Sequence, residues 1–554
     1  MIDRDIHTAR ALLVEGNAML RSVAAEQLRS LGVGQISQTS RVRDARLMIE
    51  RETFDIIVCN REFEGSPDSG QDLLDELRRE HQLPHSTVFL MVTSQASYAQ
   101  VVEAAEAALD GILIRPYNAS ALSARLQEAR TRKRELADIL KALDANQVEV
   151  ALSRALKRFQ GKLRYATYCG RLSAELFLRL NRPDDARKLF EKLAEAESAE
   201  TADWARLGVA RAMMAAGDNN AARKLLQSVL DQDRGCADAH DLMGRILVEQ
   251  CDFAGALERY REAASITPGC LLRTQHAGAL AFYQGLGDEA SKTLERAIGL
   301  GVQSKLFDAL TLLLLAVIRL DRGDKPGVLS MQEQLRRYRE RFPDSKRLQR
   351  IAAAAGVLAE LASDQHEAAL AHVLELSAQS QADDFDLEAA NTVLMLWARV
   401  PPNYRPAGEH EAAVERIAMR FSVSKAVAEV LIASGRREEP ALGIVRRSQT
   451  RVATLSEEAM DRALRGQAEA AVQSLLEAGE QALNAKWLEM AMLIARRNST
   501  QLPDADALAN RASALLARSC QALNHIAGIQ RSGRSPGGLQ LRMRQASQID
   551  VAAA

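Results

Sequence analysis

The stretch Asp55-Ile56-Ile57-Val58-Cys59-Asn60 decides the fold of the N-terminal region. It is an apolar run that ends in a polar residue, and the same pattern recurs at 11–15, 87–93 and 111–116. Near-continuous apolar strands of this length are typical of a parallel sheet that is covered on both faces. The sequence therefore predicts five βα units. Helical periodicity between the strands is found at 17–31, 42–52, 70–80 and 97–109.

Polar residues stand where these strands end. In an open parallel sheet, ligands collect outside the carboxyl ends of the strands, near the point where the strand order switches. We therefore expect the polar residues at these ends to form one pocket. They are Glu15, Asn60, Thr93 and Arg115, with Gly16 following Glu15 and Pro116 following Arg115.

With these residues in place, the segment 8–130 resembles a CheY-like response-regulator receiver domain. The resemblance implies an α/β fold with a five-stranded parallel sheet of flavodoxin-like order 2-1-3-4-5. In that family the four positions hold an acidic pair, a phospho-accepting aspartate, a threonine or serine, and a Lys-Pro pair. Gly70 matches the loop glycine before the third helix.

The chain departs from this pattern at two positions that carry the chemistry. Asn60 replaces the phospho-accepting aspartate, and Gly16 replaces one of the paired acids. A working receiver needs a nucleophilic carboxylate and an acidic cluster that holds Mg²⁺, and an amide is a very poor nucleophile. We therefore expect standard phosphorylation to fail, Mg²⁺ binding to be lost or weak, and no other cofactor. Thr93 still offers a hydroxyl donor, and Arg115 a cation for an anion.

Three interpretations of this degenerate pocket remain open. It is relic surface on a stable scaffold, or it belongs to a docking module locked in one state. The third is residual phosphorylation, in which Glu15, Glu62 or Glu64 supplies a metal site.

Composition indicates a helical protein without a global electrostatic preference. The 554 residues are 47% hydrophobic and only 4% aromatic. Because 72 basic residues face 73 acidic ones, charge gives no argument for nucleic acid or an anionic membrane. Six cysteines without a CxxC pair, and an N-terminus without a signal-peptide pattern, predict a cytoplasmic location. The apolar run at 310–318 is too short for a membrane span and predicts a buried helix.

A repeat of 34 residues follows the first region. It aligns Gly217, Cys251 and Gly285, and it places small residues at Ala210, Gly244 and Gly278. The period and the small residues resemble the tetratricopeptide repeat (TPR), with four units across 163–304. The segment 131–162 is predicted to be a connecting helix. Its basic cluster at 130–134 is interpreted as a solvated face.

Stacked repeats of this family form a concave groove, which suits a helix or an extended peptide of a protein partner. The alternative is that Tyr168 and Trp204 pack between repeats. The basic and asparagine set that clamps a chaperone tail is absent, so we do not expect that ligand. The resemblance places these residues in the partner groove: Tyr168, Arg171, Trp204, Arg211, Asp238, Asp241, Arg245 and Gln275.

The remaining chain is predicted to be a degenerate TPR-like α-solenoid across 305–527, without a fixed period. The tail 528–554 is rich in Gly, Ser, Gln and Arg and is predicted to be disordered. The sequence contains no phosphate-binding loop, no HExxH and no GxSxG, so we expect the protein not to be an enzyme. It also contains no C-terminal DNA-binding module.

The combination resembles bacterial response regulators that join a receiver to TPRs, which implies two-component signalling. Our main hypothesis is a non-enzymatic adaptor. Its pseudo-receiver docks a sensor kinase or another signalling protein without phosphotransfer, while the solenoid binds a second protein. One alternative is a phosphate-responsive regulator that controls an enzyme, such as a cyclic-dinucleotide enzyme, through its TPR region. Another is a structural scaffold of a motility, pilus or secretion apparatus.

Overall fold

The computed structural model shows an α/β unit followed by a long array of helices. The structure describes residues 5–63, 69–79, 82–94, 110–196, 203–302, 307–499, 502, 504–519, 525–526 and 529–530.

The N-terminal unit is built on one parallel sheet of order β2-β1-β3-β4-β5. This order confirms the predicted α/β class. The strands are β1 (Arg10–Val14), β2 (Gln35–Thr39), β3 (Ile56–Asn60), β4 (Val88–Thr93) and β5 (Gly111–Ile114).

Alternating side chains of the sheet enter two separate cores. Ala11 and Leu13 of β1 pack with the helices Ala18–Ser30 and Ala119–Glu135 on one face. The neighbouring Leu12 and Val14 pack on the other face, with the helices Val42–Arg51 and Gly70–Arg79. Because both faces are covered, the central strands β1, β3 and β4 are largely apolar and buried, whereas the edge strand β2 is polar. The predicted helix 97–109 lies outside the described residues.

The segment that links the sheet to the repeats differs from the prediction. Instead of one connecting helix, the chain forms the helices Ala137–Asp144 and Val148–Gln160 after the helix Ala119–Glu135 ends. The turn between the two includes Asn146 at a φ of 58°. Leu136 and Leu143 belong to the core of the repeats, so the break turns this apolar face towards the first repeat.

Four helical hairpins follow and confirm the predicted repeats. Gly244 shows why small residues recur, since a Cβ atom there would lie 2.7 Å from the ring of Tyr260. The hairpins are Ala166–Arg179 with Pro183–Ala196, Asp203–Ala215 with Asn219–Gln232, Ala237–Glu249 with Phe253–Ile266, and Leu271–Tyr283 with Gly287–Gly301.

The C-terminal region is also helical, as predicted. The apolar run lies in the buried helix Leu310–Asp321, and no helix in the described ranges is both long and apolar enough to cross a membrane. The other helices are Lys325–Glu340, Lys346–Ala362, His366–Ala378, Leu387–Trp397, Glu409–Phe421, Lys425–Ser434, Ala441–Leu464, Ala468–Ala482, Ala485–Arg497 and Ala505–Ser519.

The helical array folds back on itself. The helix Lys425–Ser434 contacts the helix Leu271–Tyr283, about 150 residues earlier in the chain. A short hairpin of His525–Ile526 and Ile529–Gln530 also contacts Leu271–Tyr283, and Ile526 is 1% exposed. The predicted disorder from residue 528 is therefore wrong for 529–530, because this pair is strand, and the tail 531–554 lies outside the described residues.

Candidate functional site

The structure brings the four predicted pocket residues to one edge of the sheet. Glu15 follows β1, Asn60 ends β3, Thr93 ends β4 and Arg115 follows β5. Parallel strands place these ends side by side. The exposed fractions of Glu15, Asn60 and Thr93 are 3%, 9% and 5%, so the pocket is closed rather than open.

Both carboxylate oxygens of Glu15 are bound by groups of the protein itself. Arg115 forms an ion pair with Oε2 of Glu15. The backbone N–H of Asn17 donates to Oε1 at 2.9 Å. Because both carboxylate oxygens are engaged and the guanidinium of Arg115 offsets the charge, the Glu15 carboxylate is satisfied without an added cation.

Asn60 holds the loop that follows β3. Its Nδ2 donates to the carbonyl oxygen of Glu62 at 2.6 Å. Gly70 approaches the same point, and a Cβ atom there would lie 2.2 Å from the Asn60 carbonyl oxygen. Burial, and secondarily the charge of Glu15, raises the pKa of the neighbouring Cys59 thiol, so this thiol is no substitute nucleophile.

The described residues of the pocket do not fit a Mg²⁺ ion of the kind that the receiver family uses, and Glu64, named above as a further acid, lies outside the described residues. Such an ion prefers carboxylate oxygens and water in octahedral geometry. Here the buried Glu15 carboxylate is already paired, Asn60 offers an amide, and the exposed Glu62 accepts a hydrogen bond from Ser94 at 3.1 Å. Across the described residues, no group of three or more His, Cys, Asp or Glu side chains is arranged to hold a metal.

The backbone does not impose the glycine at position 16. A Cβ atom on Gly16 would meet the ring of Phe63 at 3.5 Å, which is ordinary van der Waals contact. A side chain can therefore start from position 16 without a clash at its Cβ atom. The missing acid is a chemical difference from working receivers.

The predicted groove residues lie on the first helices of the repeats, but several are bonded to one another. Arg211 forms a bidentate ion pair with Glu175, at 2.8 and 2.5 Å, and both side chains are 6% exposed. This pair joins the first repeat to the second. Arg211 also lies over the ring of Phe190 at 5.5 Å.

The next repeats are joined in the same way. Arg273 donates to Asp238 and to Asp241, each at 2.8 Å, and this pairing links the third repeat to the fourth. Gln275 donates to Thr311 at 2.9 Å in the helix beyond the fourth repeat. We call the set Glu175, Arg211, Asp238, Asp241, Arg273 and Gln275 the polar ladder.

The other three predicted positions and Arg245 are half-buried. Arg171 stacks over the ring of Trp204 at 4.9 Å. The guanidinium of Arg132, in the helix Ala119–Glu135, lies 5.4 Å from the ring centroid of Tyr168. Burial lowers the pKa of Arg245, against the charges of Tyr260 and Asp241, which raise it. Tyr168 and Trp204 thus each contact an arginine of a neighbouring element, and their role in a partner groove stays a prediction.

Sequence reasoning did not predict the pairing of Arg211 with Glu175, and it missed Arg273. A signal for both was present in the repeat. Glu175 and Arg211 are 36 residues apart and Asp238 and Arg273 are 35, which is one period plus one or two residues. Opposite charges at this spacing indicate a contact between neighbouring repeats.

Two family models match the chain. One describes the response regulator receiver domain and matches residues 11–127, and the other describes the tetratricopeptide repeat and matches residues 177–246. The chain carries a response regulator receiver domain followed by TPRs. This arrangement joins a signalling module to a protein-interaction region, and both modules are generally non-enzymatic.

Known relatives match the receiver. Chemotaxis protein CheY-3 of Vibrio cholerae serotype O1 is 29% identical over 119 residues, which are 22% of this chain and 89% of that protein. Chemotaxis protein CheY of Pseudomonas aeruginosa is also 29% identical over 119 residues, covering 22% of this chain and 94% of that protein. The solved C-terminal part of a TPR repeat-containing protein from Cytophaga hutchinsonii is 14% identical, covering 56% of this chain and 99% of that one, with a TM-score of 0.31.

The receiver is attached to the TPRs by a charged junction. Asp110, 4% exposed in its side chain, accepts from Arg132 at 2.7 Å, and Lys133 lies 3.2 Å away. Across the junction, His85 Nδ1 and Asp144 Oδ1 are 2.8 Å apart. The interpretation of 130–134 as a solvated face is thus wrong for Arg132 and Lys133, because Asp110 attracts both. Arg132 touches both units, since it also lies over Tyr168.

Proposed function

We propose that this protein is a non-enzymatic adaptor of bacterial two-component signalling. Its receiver is a pseudo-receiver that docks a sensor kinase or another signalling protein without phosphotransfer. The TPR solenoid binds a second protein. The observation that carries the proposal is the pocket, in which an ion pair stands in the place of a metal and an amide in the place of the nucleophile.

The chemistry of the pocket supports the absence of phosphotransfer. Attack on a phosphoryl group needs a nucleophile, and Asn60 donates its amide to the Glu62 carbonyl instead. Phosphoryl transfer also needs positive charge near the developing oxyanion. Arg115 is the cation nearest Glu15, and its charge is cancelled there. We propose on these grounds that Mg²⁺ binding is lost or weak.

The fold supports docking. The receiver relatives carry the name of chemotaxis proteins. The fold of the receiver does not depend on phosphotransfer, so we expect its surface to remain available for docking. The charged junction at Asp110 joins this surface to the first repeat through Arg132. A partner on the receiver and a partner on the solenoid are then held in a fixed relation. A cytoplasmic location follows from this proposal.

The test is phosphorylation and phosphate mimicry in the full chain. We expect no phosphoryl adduct by intact mass after acetyl phosphate with Mg²⁺. We also expect unchanged hydrogen exchange in β1, β3 and β4 after beryllofluoride with Mg²⁺. Protection of these strands, or a stable adduct, would favour the phosphate-responsive regulator instead.

A matched variant shows that the assay can report a positive result. Gly16→Asp, Asn60→Asp and Arg115→Lys together supply two acids and the family's lysine, and a Cβ atom at position 16 makes only ordinary van der Waals contact. We expect this triple variant to gain protection with beryllofluoride and Mg²⁺, while the chain with Arg115→Lys alone does not. A triple variant that folds and stays unresponsive would show that Asn60 and Gly16 do not explain the loss.

A further inference from the structure

Arginine side chains crowd one face of the helix Ala441–Leu464, which is the longest helix in the described part of the chain. Arg446, Arg447 and Arg451 are exposed there, together with Thr450 and Thr454. These residues, with Leu455 and Glu458, line an open depression of about 630 Å³. We call these seven residues the basic face. Their spacing of one, four, five and eight residues puts them on one side of the helix.

The helix that carries the basic face is held firmly at both ends. Ile444 and Val445 belong to the core that runs through the TPRs. Val452 and Ala459 belong to a separate core formed with the C-terminal helices. The basic face therefore lies on a fixed element between two cores, which is a suitable support for recognition.

The arginines of the basic face differ from those of the polar ladder. Arg211 and Arg273 are buried and paired with carboxylates. None of the guanidinium groups of Arg446, Arg447 and Arg451 forms an ion pair with any carboxylate that the structure describes. Because residues four apart on a helix are neighbours, Arg447 and Arg451 repel each other. No ion pair with a described carboxylate offsets this repulsion, so an external anion would relieve it.

We propose that the basic face binds an acidic peptide segment of a protein partner. Arg446 and Arg451 are separated by about 7.5 Å along the helix axis, from a rise of about 1.5 Å per residue. Carboxylates on alternate residues of an extended chain are about 6.6 Å apart, so two of them reach the two ends of the arginine set. Guanidinium groups bind carboxylates through two parallel hydrogen bonds. Leu455 is half-buried and adds an apolar contact beside the charges.

A peptide fits the basic face better than a nucleic acid does. Proteins that bind duplexes commonly neutralise about six to ten phosphates, whereas three arginines are present here. Glu458 lies on the same face, and the chain has a net charge of −1. The proposal names the chemistry of the second partner, so it rests on the solenoid as a binding unit but not on the chemistry of the receiver pocket.

The experiment uses the full chain and a fluorescein-labelled peptide of alternating glutamate and serine, with a glutamine-serine peptide as its neutral counterpart. Fluorescence anisotropy is measured at 50 and 300 mM salt. We expect binding of the acidic peptide only, and at least a fivefold loss of affinity at the higher salt. A photoreactive group on the peptide is expected to cross-link within 446–458.

A charge-matched control separates the basic face from charge in general. The variant Arg446→Ser, Arg447→Ser, Arg451→Ser is expected to bind the acidic peptide at least tenfold more weakly. The control Arg336→Ser, Arg337→Ser, Arg465→Ser removes the same charge from exposed arginines that are paired with Glu333, Glu340 and Asp461, and we expect a change below twofold. Both variants remove surface side chains, and their melting temperatures check that they fold.

Other outcomes would overturn the proposal. Equal losses in both variants would show only general charge attraction. Tighter binding of a single-stranded oligonucleotide, or of vesicles of phosphatidylglycerol and phosphatidylcholine, with the same arginine dependence, would assign the basic face to a different ligand. Concentration-dependent self-association that is lost with the three arginines would assign it to a second copy. Since the receiver is intact in every variant, the phosphorylation test of the adaptor stays independent of these results.

Discussion

The receiver pocket and the polar ladder of the TPRs both hold an internal ion pair that involves side chains predicted from the sequence as candidate site residues. In the pocket, Arg115 neutralises Glu15 at the edge of the sheet. In the ladder, Arg211 neutralises Glu175 between two repeats. The first pair lies within one domain, whereas the second joins repeats that are otherwise connected by packing.

The difference lies in what each pair supports. The pocket pair is partly exposed, since the Arg115 side chain keeps 21% of its surface, and its removal affects one loop region. The ladder pair is 6% exposed on both sides. A buried charge that loses its partner costs far more than an exposed one. We therefore expect substitutions that break the Arg211–Glu175 pair to lower the stability of the solenoid, apart from any effect on binding.

The largest effect is expected from Arg211→Ala. This change leaves Glu175 buried without its two hydrogen bonds, which costs about 3–5 kcal/mol of unfolding free energy. The exposed pair of Arg187 and Glu191 provides the control, and Arg187→Ala is expected to cost no more than about 0.5 kcal/mol. Urea unfolding followed by circular dichroism measures both.

A double variant sharpens the same comparison. Glu175→Leu with Arg211→Met removes both charges and keeps side chains of similar size. We expect it to be more stable than Arg211→Ala, because no buried charge is left unpaired. A double variant as unstable as the single one would mean that the pair acts through specific hydrogen bonds rather than charge balance.

The next effect depends on pH and comes from a charged cluster further along the solenoid. Arg347 donates to Asp308 at 2.6 Å and to both oxygens of Glu388. The pKa of Glu388 is raised to about 7. Burial is the main cause, the charge of Arg347 opposes it, and the charge of Asp308 adds to it. Because this pKa exceeds the usual 4.5, protonated Glu388 stabilises the folded chain. Its contribution to the free energy of unfolding is complete below about pH 4.5 and is lost as the pH rises through 7.

Glu388→Gln removes this titration. We expect the wild-type chain to lose about 1–3 kcal/mol of unfolding free energy between pH 4.5 and 7.5, relative to the variant. Urea unfolding at several pH values measures the difference. Parallel curves for the two proteins would show that Glu388 does not titrate in this range.

A smaller effect is expected in the pocket. Glu15→Gln leaves Arg115 without its counter-charge at a partly exposed position, which we expect to cost about 1–2 kcal/mol. The matched change is Glu52→Gln, whose partner Arg10 is on the same strand but is 40% exposed. Hydrogen exchange of β1 and β5 in the full chain is expected to rise with Glu15→Gln only. Equal exchange in both variants would contradict the structural role of this pair.

The smallest effect on stability is expected from Asn60→Asp, at about 1 kcal/mol, because the carboxylate cannot donate to the Glu62 carbonyl. We also expect no phosphoryl adduct with this single change, since Gly16 still lacks the second acid and Arg115 still pairs with Glu15. Intact mass after acetyl phosphate measures the adduct. Its appearance in the single variant would show that the metal site survives.

Local patterns in the sequence predicted most of the fold. The apolar strands at 11–14 and 56–60 indicated a sheet covered on both faces, and the 34-residue period indicated the hairpins from Ala166 to Gly301. Both patterns repeat over short distances, so they can be recognised without the structure. The contact between the helices Leu271–Tyr283 and Lys425–Ser434 spans about 150 residues and has no repeated signal.

The candidate sites were predicted as positions but not as contacts. The strand ends placed Glu15, Asn60, Thr93 and Arg115 together, because topology alone fixes where parallel strands end. The direction of each side chain depends on packing, so the pairing of Glu15 with Arg115 was not predicted. The groove positions were derived from the repeat on the assumption of an open concave face. In the structure, several charged side chains at these positions bond to charged side chains of the neighbouring repeat instead.

The contact between Leu271–Tyr283 and Lys425–Ser434 also bears on how this chain can vary among related proteins. An array that stacks in one direction tolerates the gain or loss of a hairpin, because each unit meets only its neighbours. Here a unit inserted between the two helices would pull them apart, as would the deletion of one. We therefore expect related chains of this architecture to conserve the number of hairpins between these two helices, and to vary in length elsewhere.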